Sequence, residues 1–147
     1  MQVNYNNFKG SIAHALCHFG IWYELIDLAG ARISGEMLTD THLLFLAQKD
    51  IGESIDTAEA DVILKAVNSG MGLLILDGCL QSYPRVFLKN LGIEEGKSGN
   101  TSLLMLQVEN PIVSRIARNP VALNKIVQTH VLSDLTGWNT LLTDEKG

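Results

Sequence analysis

Between Ser11, a residue type that caps helices, and Gly30, one that closes them, Ile12, Leu16, Phe19, Tyr23 and Ile26 recur at helical spacing. The spacing predicts a long first helix with a wide apolar face. Before it, Gln2 to Tyr5 is a short strand candidate, weakened by asparagines at 4, 6 and 7. After it, ARIS (31–34) is another, and THLLFLAQ (41–48) carries the unbroken apolar run of a strand buried on both faces. Asp56 with Glu59 three residues later has the form of a capping box, opening a helix through Ala60, Ile63, Leu64 and Val67 with Gly70 beyond its end. That helix leads directly into a second buried run, GLLILDG (72–78).

Two buried runs joined through a capped helix match a βαβ unit, which makes the sheet parallel. Pro84 then falls in the first turn of a helix through Val86, Phe87 and Leu91, ended by Gly92. EEGKSGN (94–100) reads as an exposed loop and SLLMLQV (102–108) as a further strand. Residues 112–117 and 121–127 are apolar segments separated by Pro120, and VQTHVLSDL (127–135) and GWNTLL (137–142) look extended. The alternation of helix and strand predicts an α/β domain of the doubly wound, flavodoxin-like kind: a three-layer sandwich with a mostly parallel sheet. Without an internal repeat or linker, 1–147 reads as a single domain.

Composition narrows the partners. With 147 residues and 46% of them apolar, the chain can bury one substantial core but not two of ordinary size. A net charge of -5, with no basic cluster, offers no electrostatic footprint for nucleic acid or an anionic membrane. No apolar run approaches a membrane span, and the first residues lack the charged and apolar regions of a signal peptide. Cys17 and Cys79 form no disulfide framework and no repeated CxxC, which fits a reducing, cytoplasmic setting. The chain stops at LLTDEKG, just after an apolar pair, so two readings stand, a soluble protein in itself or a piece cut from a larger one.

The segments LIDLAGARI, THLLFLAQ and ADVILKAVNSGMGLLILDG, with LGI (91–93) and NPI (110–112), resemble the class I glutamine amidotransferase-like superfamily. The likeness covers roughly residues 11 to 117. It is to the non-amidotransferase branches in particular, the ThuA-like domains and the trimerization domain of family 42 β-galactosidases. The resemblance implies the flavodoxin-like fold more strongly than any activity. It also implies that further strands follow Leu142, leaving a sheet edge for a second chain to cover.

Catalytic members of that superfamily carry a nucleophile in a G-x-C-x-G turn after such a strand, with a downstream His-x-Glu. The physical need is a tight turn that exposes the thiol at a helix N-terminus, which lowers its pKa and offers N–H groups to an oxyanion. Here the stretch is Asp77-Gly78-Cys79-Leu80-Gln81: one glycine stands a residue too close and Gln81 replaces the other. His130, the candidate base, is followed by Val131-Leu132. The triad is not retained, and Cys79 reads first as a small apolar residue.

Other candidates are sparser. HALCH sets His14 and His18 four apart on a helix, a spacing that can present two imidazoles to a metal, but Cys17 points about 100° from His18 and no further ligand is built in. These three are weak metal candidates, and no metal or cofactor is expected. Asp77 ends a central strand, where open α/β sheets gather ligands, and is the ligand-binding candidate. His42 is a lone residue. Arg85, Arg115 and Arg118 read as solvated, and Asn100-Thr101-Ser102 matches a glycosylation sequon. No phosphate-cradling glycine loop is present.

Two functions follow. The first is a non-catalytic accessory or oligomerization domain, associated with carbohydrate metabolism through the resembled families, acting as a homo-oligomer or within a parent protein and able to hold a small molecule or sugar. The alternative is a thiol-dependent hydrolase or amidotransferase with Cys79 as nucleophile and His130 as base.

Overall fold

The computed structural model describes residues 9–93, 95–106, 111, 120–132, 139 and 142–143. The chain divides into two compact units, Met1–Leu91 and Gly92–Gly147. It contains helices and strands, with a small parallel sheet in the first unit and an antiparallel one in the second. The strand expected at Gln2 to Tyr5 and the apolar segment 112–117 lie outside the described residues.

The first unit opens with a π-helical turn, Lys9–Ala13, that runs into helix α1, His14–His18. The long helix expected through Ile26 therefore ends early. Gly20 takes φ +67°, its N–H donates to the Cys17 carbonyl at 3.1 Å, and the Ile21 N–H reaches the Leu16 carbonyl at 2.9 Å. This is a Schellman ending, which only a residue free of a Cβ adopts at no cost. Residues 21–27 continue without regular structure, and Asp27 then closes a turn by accepting from the N–H of Ala29 through its side chain at 3.0 Å and from Ala31 through its carbonyl at 2.9 Å.

ARIS forms no strand pairing. Ser34 instead caps a short helix, α2, Gly35–Leu38, accepting from the Met37 N–H at 3.4 Å. Strand β1, Leu43–Leu46, follows, then a 3₁₀ turn, Ile51–Ser54, and helix α3, Thr57–Asn68. The expected capping box is present: Asp56 Oδ1 accepts from the Glu59 N–H at 2.9 Å and Glu59 Oε2 accepts from the Asp56 N–H at 3.0 Å. At its far end α3 repeats the Schellman pattern, with Gly70 at φ +109°, and turns into β2, Gly72–Ile75.

β1 and β2 pair in parallel, Leu43 opposite Gly72 through Leu46 opposite Ile75. The bond from the Leu76 N–H to the Leu46 carbonyl, at 2.9 Å, extends the ladder. A 3₁₀ turn, Leu80–Ser82, then leads to helix α4, Arg85–Asn90, with Pro84 at its N-cap. The core is built by Ala60, Ile63 and Leu64 of α3, Phe87 and Leu88 of α4, Leu46 of β1 and Tyr83, with the Tyr83 and Phe87 rings stacked at 5.7 Å. The pair is not buried on both faces. Leu43, Leu74 and Leu76 are 45%, 40% and 47% exposed, and by register Leu43 and Leu74 share one face.

In the second unit β3, Glu95–Leu106, pairs antiparallel with β4, Val121–Leu132, and with the short β5, Leu142–Thr143, in the order β4-β3-β5. The stretch expected as a loop, EEGKSGN, is therefore strand from Glu95 onward. Its glycines and serines are poor strand formers, and the ladder to β4 overrides them. The third expected strand thus belongs to an antiparallel sheet, and parallel pairing is confined, among the described residues, to β1 and β2. Register shifts between Glu95 and Ser98 and between Thr101 and Leu103 interrupt the ladder. At the latter the buried Thr101 hydroxyl bonds to the Leu103 carbonyl at 2.7 Å.

Glu59 ties α3 to the chain before it. It is 3% exposed, its Oε1 accepts from the Ile33 N–H at 2.9 Å, and Arg32 Nη1 reaches its Oε2 at 3.0 Å and Asp56 Oδ2 at 2.9 Å. Burial works to raise the Glu59 pKa, but the bonds from the Asp56 and Ile33 N–H groups and from Arg32 outweigh it and hold the carboxyl below its ordinary 4.5. A carboxyl depressed in the folded state stabilises at neutral pH, and that contribution is lost as pH falls from about the ordinary value through the folded one. Unfolding midpoints measured against pH should fall more steeply below pH 4.5 in the wild type than in Glu59→Gln, which should be the less stable protein at pH 7.

Candidate functional site

The loops that leave the carboxyl ends of β1 and β2 meet. After β1 the chain bends through Asp50, the one non-glycine residue with positive φ among those described, at φ 59° and ψ 24°. Aspartate tolerates this left-handed conformation better than most residues. Its carbonyl accepts from the Glu53 N–H at 3.2 Å, which starts the Ile51–Ser54 turn. Within that turn Gly52 is buried against the loop after β2: a Cβ there would lie 2.7 Å from both Ser82 C and Tyr83 Cγ. Only a bare Cα permits this approach.

After β2 the Asp77 carboxylate folds back on its own loop, with Oδ1 accepting from the Cys79 N–H at 2.9 Å. The Ser82 hydroxyl and N–H both donate to the Cys79 carbonyl, at 2.7 and 2.9 Å. These bonds hold Cys79 at φ -97° and ψ 62° and turn the chain into the three-residue 3₁₀ segment. The α-helix that follows Cys79, α4, starts only after Pro84, so the thiol does not stand at its N-terminus.

The two loops bring one ligating atom from each of Asp50, Asp77 and Cys79 within 4.8 Å of one another. Asp77 is 5% exposed, and its Oδ2 is buried without a hydrogen-bond partner. The Tyr83 hydroxyl, also buried, makes no close hydrogen bond but interacts with the Asp77 carboxylate. Burial first, and then the charge of the nearby Asp77, pushes the Tyr83 phenol above its ordinary range. The Asp50 carboxylate beside the Cys79 thiol, as acceptor for its proton, pushes that pKa up to about 11, reinforced by burial and by the charges of Asp50 and Asp77 and only partly offset by Lys49. Lys49 Nζ lies 3.5 Å from Asp50 Oδ2, with both side chains solvated.

A nucleophilic cysteine needs the opposite environment, one that favours its thiolate. The candidate base, His130, stands in β4 of the second unit, opposite Ser98. Asp77, read from the sequence as a strand-end ligand residue, does sit at the carboxyl end of β2, where parallel sheets gather ligands. Asp50 went unread. Its only sequence signal is an acidic residue next to glycine-containing turn chemistry after β1, and its partnership with Asp77 is purely tertiary.

His14, Cys17 and His18 are all exposed on α1. Cys17 Sγ lies 3.9 Å from the Tyr23 hydroxyl and His18 packs edge-on against Phe19, and no three-ligand cluster forms there among the described residues. His42 lines a depression of about 800 Å³ with Leu38, Val62, Lys65 and Met71, at the amino ends of β1 and β2, whereas Cys79 lies beyond the carboxyl end of β2. Among the described residues no helix is long and apolar enough to cross a membrane. No protein-family model, curated protein or solved structure matches the chain.

Two outcomes follow from this geometry. Gly52→Ala should destabilise the first unit by about 1–3 kcal/mol, read from chemical denaturation, because its new methyl must displace backbone as well as the Tyr83 ring. In a Cys17→Ser background, Cys79 should alkylate slowly at pH 8, and Asp50→Asn should speed the reaction by lowering the thiol pKa.

Proposed function

We propose that this chain is a non-catalytic association domain of the amidotransferase-like type, with its βαβ unit, β1-α3-β2, representing the flavodoxin-like part of the fold. The observation that carries this reading is the large apolar surface left open on the first unit. Phe19, Ile21, Trp22 and Leu25 are exposed along the segment after α1, Trp22 at 98%, and Leu43, Leu74 and Leu76 are exposed on the β1–β2 pair. Exposed apolar side chains in such number support contact with another chain. In a three-layer α/β domain a helix layer covers each face of the sheet, so a bare apolar sheet face calls for cover from a second copy or from the parent protein.

The raised Cys79 pKa supports the non-catalytic half of the reading against a thiol-dependent hydrolase or amidotransferase using Cys79 and His130. The two free cysteines, Cys17 exposed, suit a reducing cytoplasmic setting. The role in carbohydrate metabolism, with a sugar as ligand, rests on the family resemblance alone.

Sedimentation velocity tests the association. The wild type should sediment as a dimer or larger, and the double variant Leu74→Gln/Leu76→Gln, altered at exposed positions, should keep its circular dichroism while its dissociation constant rises by roughly 100-fold or more. A wild type that stays monomeric at high concentration overturns the reading.

A further inference from the structure

The cluster at the carboxyl ends of β1 and β2 is built more like a cation site than like a catalytic thiol. Two carboxylates and a thiol converge within 4.8 Å, and Asp77 enters no ion pair among the described residues. Lys49 Nζ lies 3.5 Å from Asp50 Oδ2, and its charge only partly offsets those of the two carboxylates at Cys79. Asp77 Oδ2, on a side chain 5% exposed, is buried without a close hydrogen bond, and its polar neighbour is the hydroxyl of Tyr83, 3% exposed, which interacts with that carboxylate without closing one. Natural structures seldom leave a buried carboxylate oxygen unsatisfied unless an ion, water or ligand completes the site.

We propose that Asp50, Asp77 and Cys79 bind a divalent transition-metal ion, zinc above all. The donor set makes the choice. Two oxygens and one sulfur mix hard and soft ligands, which suits a borderline ion such as Zn²⁺ and argues against Mg²⁺ or Ca²⁺, whose shells are oxygen alone. Tetrahedral Zn²⁺ holds its ligand atoms about 3.5 Å from one another, so a cluster spanning at most 4.8 Å needs to close by only about 1 Å. Asp50 and Cys79 sit on the loops beyond the two strands, and Asp77 is anchored by its bond to the Cys79 N–H. As the metal–sulfur bond forms, the thiol proton leaves to solvent, and the cation removes the mutual repulsion of the three groups. Tyr83, next to Asp77, is placed to orient that carboxylate, and the fourth position is left to water. The site stands independently of the association surface, which lies on other residues.

The test uses the full chain carrying Cys17→Ser, stripped of metal and titrated with Co²⁺, whose thiolate complexes give a charge-transfer band in the near ultraviolet. One Co²⁺ per chain should bind with that band, and Zn²⁺ should displace it. Cys79→Ser should abolish the band. Asp77→Asn and Asp50→Asn should weaken affinity by about 10- to 100-fold or more. Asp50, partly exposed, is the variant least tied to folding, and near-ultraviolet circular dichroism on each protein confirms its packing. His14→Ala/His18→Ala should change nothing. Absence of the band in the Cys17→Ser protein, its survival in Cys79→Ser, undiminished affinity in folded Asp50→Asn, or loss of binding with the histidine pair would each overturn the assignment.

Discussion

Glu59 is the constraint on which the first unit turns. A buried carboxylate survives only when its oxygens are occupied, and here the Asp56 N–H, the Ile33 N–H and Arg32 occupy them. Those bonds set where α3 begins and tie residues 32–33 against it. With the start of α3 set by Glu59 and its end by Gly70, the helix delivers β2 alongside β1 in one register. The position of the loops beyond both strands follows from that register, and with it everything chemical in the unit.

The two loops meet because Gly52 carries no side chain. Its contact with Ser82 and Tyr83 draws Asp50 toward Asp77 and Cys79. The result is an electrostatic environment opposite in sign to that of a catalytic thiol: two carboxylates favour the protonated sulfur, and the helix that begins after Cys79 is only a three-residue 3₁₀ segment. The same excess of negative charge that silences a nucleophile attracts a cation. The exposed apolar side chains of Phe19 to Leu25 and of the open face of the β1–β2 pair involve none of these residues, so the association and the ion binding proposed above would draw on separate parts of the unit.

Local signals were legible where tertiary packing agreed with them. The Asp56-Glu59 box, Gly70 and the runs 43–46 and 72–75 all lie where the pattern puts them, because each is decided within a few residues of chain. Periodicity misled where it ran across a breaker. The apolar spacing from Ile12 to Ile26 continues through Gly20, but the Schellman bonds around Gly20 end the helix regardless. Composition misled at EEGKSGN, whose residues favour a loop and whose ladder to β4 makes them strand.

By itself, then, the sequence determined the capped helix, the two parallel strands on either side of it and the departure of Cys79 from a nucleophile's glycine pattern, since all of these are matters of short-range bonding and sterics. Only the tertiary structure decided that Asp50 joins Asp77 and Cys79, that ARIS spends a backbone N–H on a buried carboxylate instead of a neighbouring strand, and that the last strands pair antiparallel. Each of these depends on residues far apart in the chain, whose meeting is set by the register of one element against another.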